Sequence, residues 1–190
     1  MTDGSGWKKN GKYKTGLSYT FKNAFPTALQ DRLYDAALNS NYTIGWADTA
    51  EPEKRTQPCI GSHWNKDAVH KLGLFKNFKK YVDKTVFKKY CKMENLSFVV
   101  VNLTKPCDPN FIHTHSGQFG CVYYVNPTWD LNWAGETLFF NSTKTKVIET
   151  SLYEPNKLVV FDGSIPHTIR AQNITGPSYR FTVTLIFEKK

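Results

Sequence analysis

The sequence lacks any hydrophobic run long enough to cross a membrane. Its longest apolar stretches, Phe98 to Val101 and Leu158 to Phe161, fall far short of the about 18 residues that a spanning helix needs. Cysteine is scarce: four in 190 residues, at Cys59, Cys91, Cys107 and Cys121, with no C-x-x-C pair. That excludes a disulfide scaffold and argues against zinc held by paired thiolates. Acidic residues are also few, 16 against 25 Lys and Arg, which leaves a formal charge of +9. Met1 to Lys9 holds no apolar core of a secretion signal, so a reducing cytoplasm is the expected compartment, without membrane attachment.

What the chain has in quantity is apolar and aromatic side chains, 40% and 15% of residues. This is enough for a buried core and suits pleated surfaces. Lysine is concentrated between residues 66 and 92, at 66, 71, 76, 79, 80, 84, 88, 89 and 92, against only Asp67 and Asp83. Such a face attracts nucleic acid or acidic peptide. Without an arginine-rich motif beside it, a solvated helix face is the simpler expectation.

The length suits a single domain spanning 1–190. Residues 1–20, rich in Gly, Lys, Ser and Thr, read as a flexible or extended leader. Residues 21–95 read as mainly helical support with one or two strands. One helix opens at Phe25-Pro26-Thr27 and ends by Asn39 to Asn41. A longer helical tract covers Asp67 to Cys91, divided at Gly73, and a strand is expected over Tyr42 to Ala47. Glu51 to Pro58, charged and proline-containing, reads as a loop. From Asn95 the pattern turns to period two. Strands are expected over 97–103, 111–115, 120–126, 136–141, 146–148, 157–162, 167–172 and 179–187, separated by turn residues such as Asn126-Pro127 and Asp162-Gly163. Helices first and strands after them predict an α+β chain whose β-core, residues 96–190, is covered on one face by N-terminal helices.

Of five histidines, His63 and His70 stand apart, and a core or surface role suffices for them. His113-Thr114-His115 is different. On a strand, positions i and i+2 share a face roughly 6–7 Å apart, which lets two imidazoles converge on one cation. His167 follows a strand and a turn, in Ile165-Pro166-His167. A late strand lying beside an early one would bring it to the pair.

The runs Phe111-Ile-His113-Thr-His115, Cys121-Val-Tyr-Tyr-Val-Asn126 and Trp133-Ala-Gly-Glu-Thr-Leu-Phe139 resemble the Fe(II)/2-oxoglutarate dioxygenases, in their prolyl-4-hydroxylase-like branch. Pro155 to Phe161, Ile165-Pro-His167 and Tyr179-Arg-Phe-Thr-Val-Thr184 continue the likeness in order. It covers about residues 97 to 187 and is similar to the small oxygenases of bacterial viruses, which would place the protein in a host cytoplasm. The resemblance implies a double-stranded β-helix, or jelly roll, holding Fe(II) with open positions for 2-oxoglutarate and O2. Ascorbate would be an accessory reductant, and a protein or peptide residue such as proline the substrate. Nucleic acid is a weaker expectation, because no second arginine follows Arg180. His113 and His167 match the family's metal-binding histidines. Arg180 matches the residue that pairs with the far carboxylate of 2-oxoglutarate, and Tyr124, Thr182 and Thr184 match groups around it. Trp133 to Thr137 reads as structural, with Gly135 permitting a close approach.

One position departs from the pattern: His115 stands where the family has a carboxylate. The site is then a three-histidine set of His113, His115 and His167, or a His115-x-Gly117 pair as in halogenating members, or one completed by Asp108 or Asp162. Arg170 is the rival of Arg180 for the 2-oxoglutarate carboxylate. Two further readings stay open. A cupin-type metal dioxygenase also uses H-x-H and a later His, although Gln118-Phe119 stands where a cupin Glu is usual. A non-catalytic basic β-sandwich binding module would need no metal.

Overall fold

The computed structural model describes residues 7–9, 12–14, 17–46, 59–108 and 110–190. The expected loop 51–58 lies outside them. The leader's described segments are strands: β1 (Trp7–Lys9), β2 (Lys12–Lys14) and β3 (Ser18–Phe21). Then come α1 (Thr27–Leu38), β4 (Thr43–Trp46), β5 (Cys59–Trp64), α2 (Lys66–Lys71) and α3 (Leu74–Val82). The remainder is β6 (Leu96–Thr104), β7 (Gln118–Tyr124), β8 (Thr137–Phe140), β9 (Val147–Ser151), β10 (Leu158–Asp162), β11 (His167–Ile169) and β12 (Arg180–Glu188).

The strands form two sheets. The larger runs β1-β2-β3-β10-β7-β12-β6-β5-β4 and the smaller β11-β8-β9. Every pairing is antiparallel, so each strand presents alternate residues to opposite faces. On β12, Phe181, Val183, Leu185 and Phe187 face outward onto the helices, in one core with Leu33 of α1, Val69 of α2 and Phe78 of α3. Arg180, Thr182, Thr184 and Ile186 face inward, toward the smaller sheet. A second core of Tyr124, Phe139, Tyr153, Val159 and Phe161 fills the space between the sheets. The class is therefore α+β, with helices on one face of the larger sheet.

Local chemistry sets the boundaries. Pro26 precedes the first helical residue, where its missing N–H costs nothing, and Asn65 caps α2 by accepting from the Ala68 amide at 2.9 Å. Gly73 adopts φ 65°, which only glycine takes readily, and it separates α2 from α3 as expected. The helical tract stops at Val82 rather than Cys91. The Thr85 hydroxyl donates to the Val82 carbonyl at 2.8 Å, and Lys88–Tyr90 and Met93–Asn95 are short 3-10 turns. Strand β5 stands before the long helix, in residues for which the sequence suggested no element. Residues 111–115 do not form a strand, although His113 bridges to His167. Among the described residues no helix is long and apolar enough to cross a membrane.

Phe78 is fully buried, with its ring 5.2 Å from Phe25 and 6.4 Å from Tyr123. Phe78→Ala is expected to destabilise the fold by about 3–5 kcal/mol in urea unfolding. Val86→Ala, at a position 64% exposed, should stay within about 0.5 kcal/mol. Equal effects would contradict this assignment of the core.

Candidate metal centre and anion pocket

The three histidines meet through backbone bonds rather than through a common strand. His113 and His167 exchange two hydrogen bonds, each amide donating to the other carbonyl at 3.0 Å. The His115 amide donates to the Gly163 carbonyl at 2.6 Å, and the Gly163 amide to the Gln118 carbonyl at 3.0 Å. The segment between β6 and β7 is thus clamped onto the turn between β10 and β11. The ring centroids lie 5.0 Å (113–115), 4.5 Å (113–167) and 5.4 Å (115–167) apart. One nitrogen from each ring falls within 4.8 Å of the others.

The tautomers can be inferred. Nδ1 of His113 is 3.0 Å from the Phe111 carbonyl, and Nδ1 of His167 is 2.7 Å from the Ile165 carbonyl. A carbonyl only accepts, so Nδ1 carries a proton in both rings and Nε2 is the nitrogen left to ligate a metal. This is the arrangement of an imidazole ready to ligate a metal. Burial, with the nearby His113, lowers the His115 pKa to about 4, and burial pushes His167 well below its ordinary value. Both are neutral at pH 7. A donor set of three imidazoles suits a borderline divalent transition metal.

Asp162 does not join the cluster. It is held by the Lys189 ammonium at 2.8 Å and by Ser164. Asp108 accepts from the Lys105 amide at 2.7 Å. Among the described residues, the gathered metal-capable side chains are the three histidines alone.

The same cavity contains a second unusual group. Arg180 is fully buried. Its Nε donates to the Gly135 carbonyl at 2.9 Å, and its guanidinium lies over the rings of Tyr153 and Tyr124, at 4.8 and 5.7 Å. Among the described residues, its two terminal nitrogens have no hydrogen-bond partner. Burial works against its charge; Tyr153, Tyr124 and Glu136 act the other way. Gly135 is needed here, since a Cβ would lie 3.2 Å from Arg180 Cδ at a φ of 83°. Unpartnered buried donors of a cation are costly, and a guanidinium fork matches a carboxylate through two parallel bonds.

Thr137, Thr182 and Thr184 line the cavity beside Arg180. The register Thr182↔Asn102, Thr184↔Val100, Ile186↔Phe98 grades the walls from polar to apolar. Among the described residues, no Asp or Glu lines the cavity. Tyr124 contributes its ring face; its hydroxyl donates to the Ser151 carbonyl at 3.2 Å and meets Thr137 Oγ1 at 2.9 Å. Arg170 is turned outward, 63% exposed and paired with Glu136 at 2.9 Å. Sequence reading missed Tyr153, which stacks on Tyr124 at 4.5 Å and supports Arg180 from a segment without a motif.

No protein-family model and no curated protein matches the sequence. Solved structures do match the fold. A prolyl-4-hydroxylase from Pseudomonas putida superposes with a TM-score of 0.65 at 13% identity, over 92% of this chain and 94% of that one. An oxidoreductase of the 2OG-Fe(II) oxygenase family from Burkholderia pseudomallei gives 0.64 at 11%, over 93% and 87%. A Trichoplax adhaerens prolyl hydroxylase, in complex with a peptide fragment of the hypoxia-inducible-factor oxygen degradation domain, gives 0.54 at 14%, over 92% and 84%. The fold is that of the 2-oxoglutarate and Fe(II) oxygenases, a double-stranded β-helix, and prolyl hydroxylases are among the proteins that share it.

Two outcomes are expected. A Cβ at Gly163 would lie 2.6 Å from the His115 carbonyl oxygen and 2.9 Å from its Cβ. Gly163→Ala should therefore displace His115 and weaken divalent-metal affinity at least about tenfold, read by calorimetry. Unchanged affinity would remove His115 from the ligand set. His115, with its pKa lowered from 6.5 to about 4, resists protonation in the fold. Stability is therefore fully present above about pH 6.5 and declines as pH falls toward 4. The melting temperature of the metal-free protein should drop across that window, and less so in His115→Gln.

Proposed function

We propose that the protein is an Fe(II)- and 2-oxoglutarate-dependent dioxygenase that hydroxylates a protein or peptide residue such as proline. The observation that carries this reading is the buried Arg180 fork, two nitrogens unpartnered, in a cavity that also holds three converging imidazoles. A metal site alone would suit a cupin-type dioxygenase, but it would leave this buried cation without a purpose. A binding module would explain neither feature. The likeness to the peptide-bound Trichoplax prolyl hydroxylase supports a peptide substrate.

In this reading His113, His115 and His167 hold the metal, His113 and His167 through Nε2. When bound, Fe(II) with 2-oxoglutarate and O2 supplies an oxidant for an unactivated C–H bond, the 2-oxoglutarate being decarboxylated to succinate. Arg180 pairs with the far carboxylate, and the Thr182 and Thr184 hydroxyls stand on the same inward face. The rings of Tyr124 and Tyr153 hold the guanidinium in place and keep water from it. Phe98, Val100 and Ile186 give the cavity an apolar end. The ligand set has no carboxylate, so the metal keeps its full charge and the dianionic cosubstrate supplies the neutralisation.

Anaerobic titration with Fe(II) and then 2-oxoglutarate tests this. A weak visible charge-transfer band should need both additions and be absent in His113→Ala. Arg180→Gln should weaken 2-oxoglutarate binding on the order of 100-fold, the worth of two charge-assisted hydrogen bonds. Arg170→Gln should bind it like the wild type. Iron binding with no 2-oxoglutarate-dependent band would sink the oxygenase reading.

A further inference from the structure

The lysine-rich face has more structure than a solvated helix. Between α3 and the two 3-10 turns after it lies a groove of about 540 Å³, large enough for one or two bulky side chains. Phe75, Val86, Cys91 and Met93 contribute its apolar surface, and Lys79, Lys88, Lys89 and Lys92 its cationic one. Val86 is 64% exposed there. Asp83 occupies Lys79 at 2.6 Å and Glu94 occupies Lys92 at 3.4 Å. Lys88 and Lys89 have no carboxylate partner among the described residues. Lys89 instead lies over the Tyr90 ring at 4.7 Å.

We propose that this groove docks an acidic segment of a polypeptide partner, with an apolar side chain on Val86 and Met93 and carboxylates on Lys88 and Lys89. Charge complementarity selects the acid, and the apolar surface selects peptide over nucleic acid. A phosphate backbone offers nothing to Val86 or Met93, and the groove holds no arginine for phosphate or base recognition.

The position bears on the proposed reaction. The groove lies on the outer face of the larger sheet, opposite the cavity, so a segment bound there leaves the histidines open. The turn Met93–Asn95 runs directly into β6, whose Phe98 forms the apolar end of the cavity. A partner held in the groove therefore reaches the cavity around one end of β6. Resting on the dioxygenase reading, the docked segment belongs to the protein substrate, and binding there raises the local concentration of the target residue.

Fluorescence anisotropy tests the groove without iron or 2-oxoglutarate. The probe is a labelled peptide of glutamates around two leucines. Controls replace the leucines with serine, replace the glutamates with lysine, or use a single-stranded oligonucleotide. The glutamate–leucine peptide should bind best and weaken as salt rises. Affinity should fall roughly tenfold in Lys88→Glu/Lys89→Glu, and also in Val86→Asp. Both changes lie at exposed positions, and an unchanged melting temperature would confirm folding. Preference for the oligonucleotide, indifference to the leucines, or wild-type affinity in both variants would overturn the proposal. Peptide binding by a protein that shows no 2-oxoglutarate-dependent band would leave docking intact and defeat the dioxygenase reading. A normal band without peptide binding would do the reverse.

Discussion

A guanidinium sealed from water must have its charge met, and the interior of this protein is arranged around that requirement. Arg180 is fully buried at the start of β12, where one Nε–H is satisfied by the Gly135 carbonyl. Tyr124 and Tyr153 supply aromatic faces, and each ring is fixed by its own hydroxyl. Tyr124 donates to the Ser151 carbonyl at 3.2 Å and Tyr153 bonds Asn126 and the Phe181 carbonyl at 2.7 Å. These contacts draw β7, β9, β12 and the Gly135 turn to one point. They orient the cation without neutralising it, because ring faces and a carbonyl carry no full negative charge. The remaining cost is borne by the fold until an anion enters.

The histidine cluster adds a second demand of the same sign. Burial holds His115 and His167 against protonation, and among the described residues no carboxylate lines the cavity. A divalent metal there would add its whole charge to that of Arg180. The two demands are complementary: a dianion that reaches both answers both, whereas either alone would be only partly met. 2-Oxoglutarate, the cosubstrate proposed above, is one dianion with two carboxylates to divide between them.

The sequence showed the β-core and the two key groups because both are local in character. Short apolar runs bounded by turn residues marked β6, β7, β10 and β12 to within a few residues, since side chains on both faces of those strands are largely buried. The pattern His113-x-His115 with His167 marked the cluster. The strand expected to carry it is absent, and two backbone bridges do the positioning instead. Register distinguished Arg180 from Arg170 in the sequence; in the fold the first is enclosed and the second is paired outside with Glu136. Tyr153 was not legible, because its role depends on a long-range meeting with Tyr124 and Arg180. Nor was β5: Cys59-Ile-Gly-Ser-His-Trp64 has little alternation, and its strand character comes from pairing with β6.

The precision of the cavity depends on the opposite face of the sheet. Phe87 stacks on Phe119 at 4.9 Å and Phe119 on Phe187 at 4.9 Å, with interplanar angles of 9° and 8°. This aromatic column braces the start of β7 against the end of β12 from the helical side. The same strands turn Val122, Thr182, Thr184 and Arg180 inward. Because neighbours along a strand point to opposite faces, displacement of an outer ring tilts the backbone that carries an inner group. Packing on this outer face thus supports the inner one. The Phe87 end of the column lies beside the lysine groove, between Val86 and Lys88.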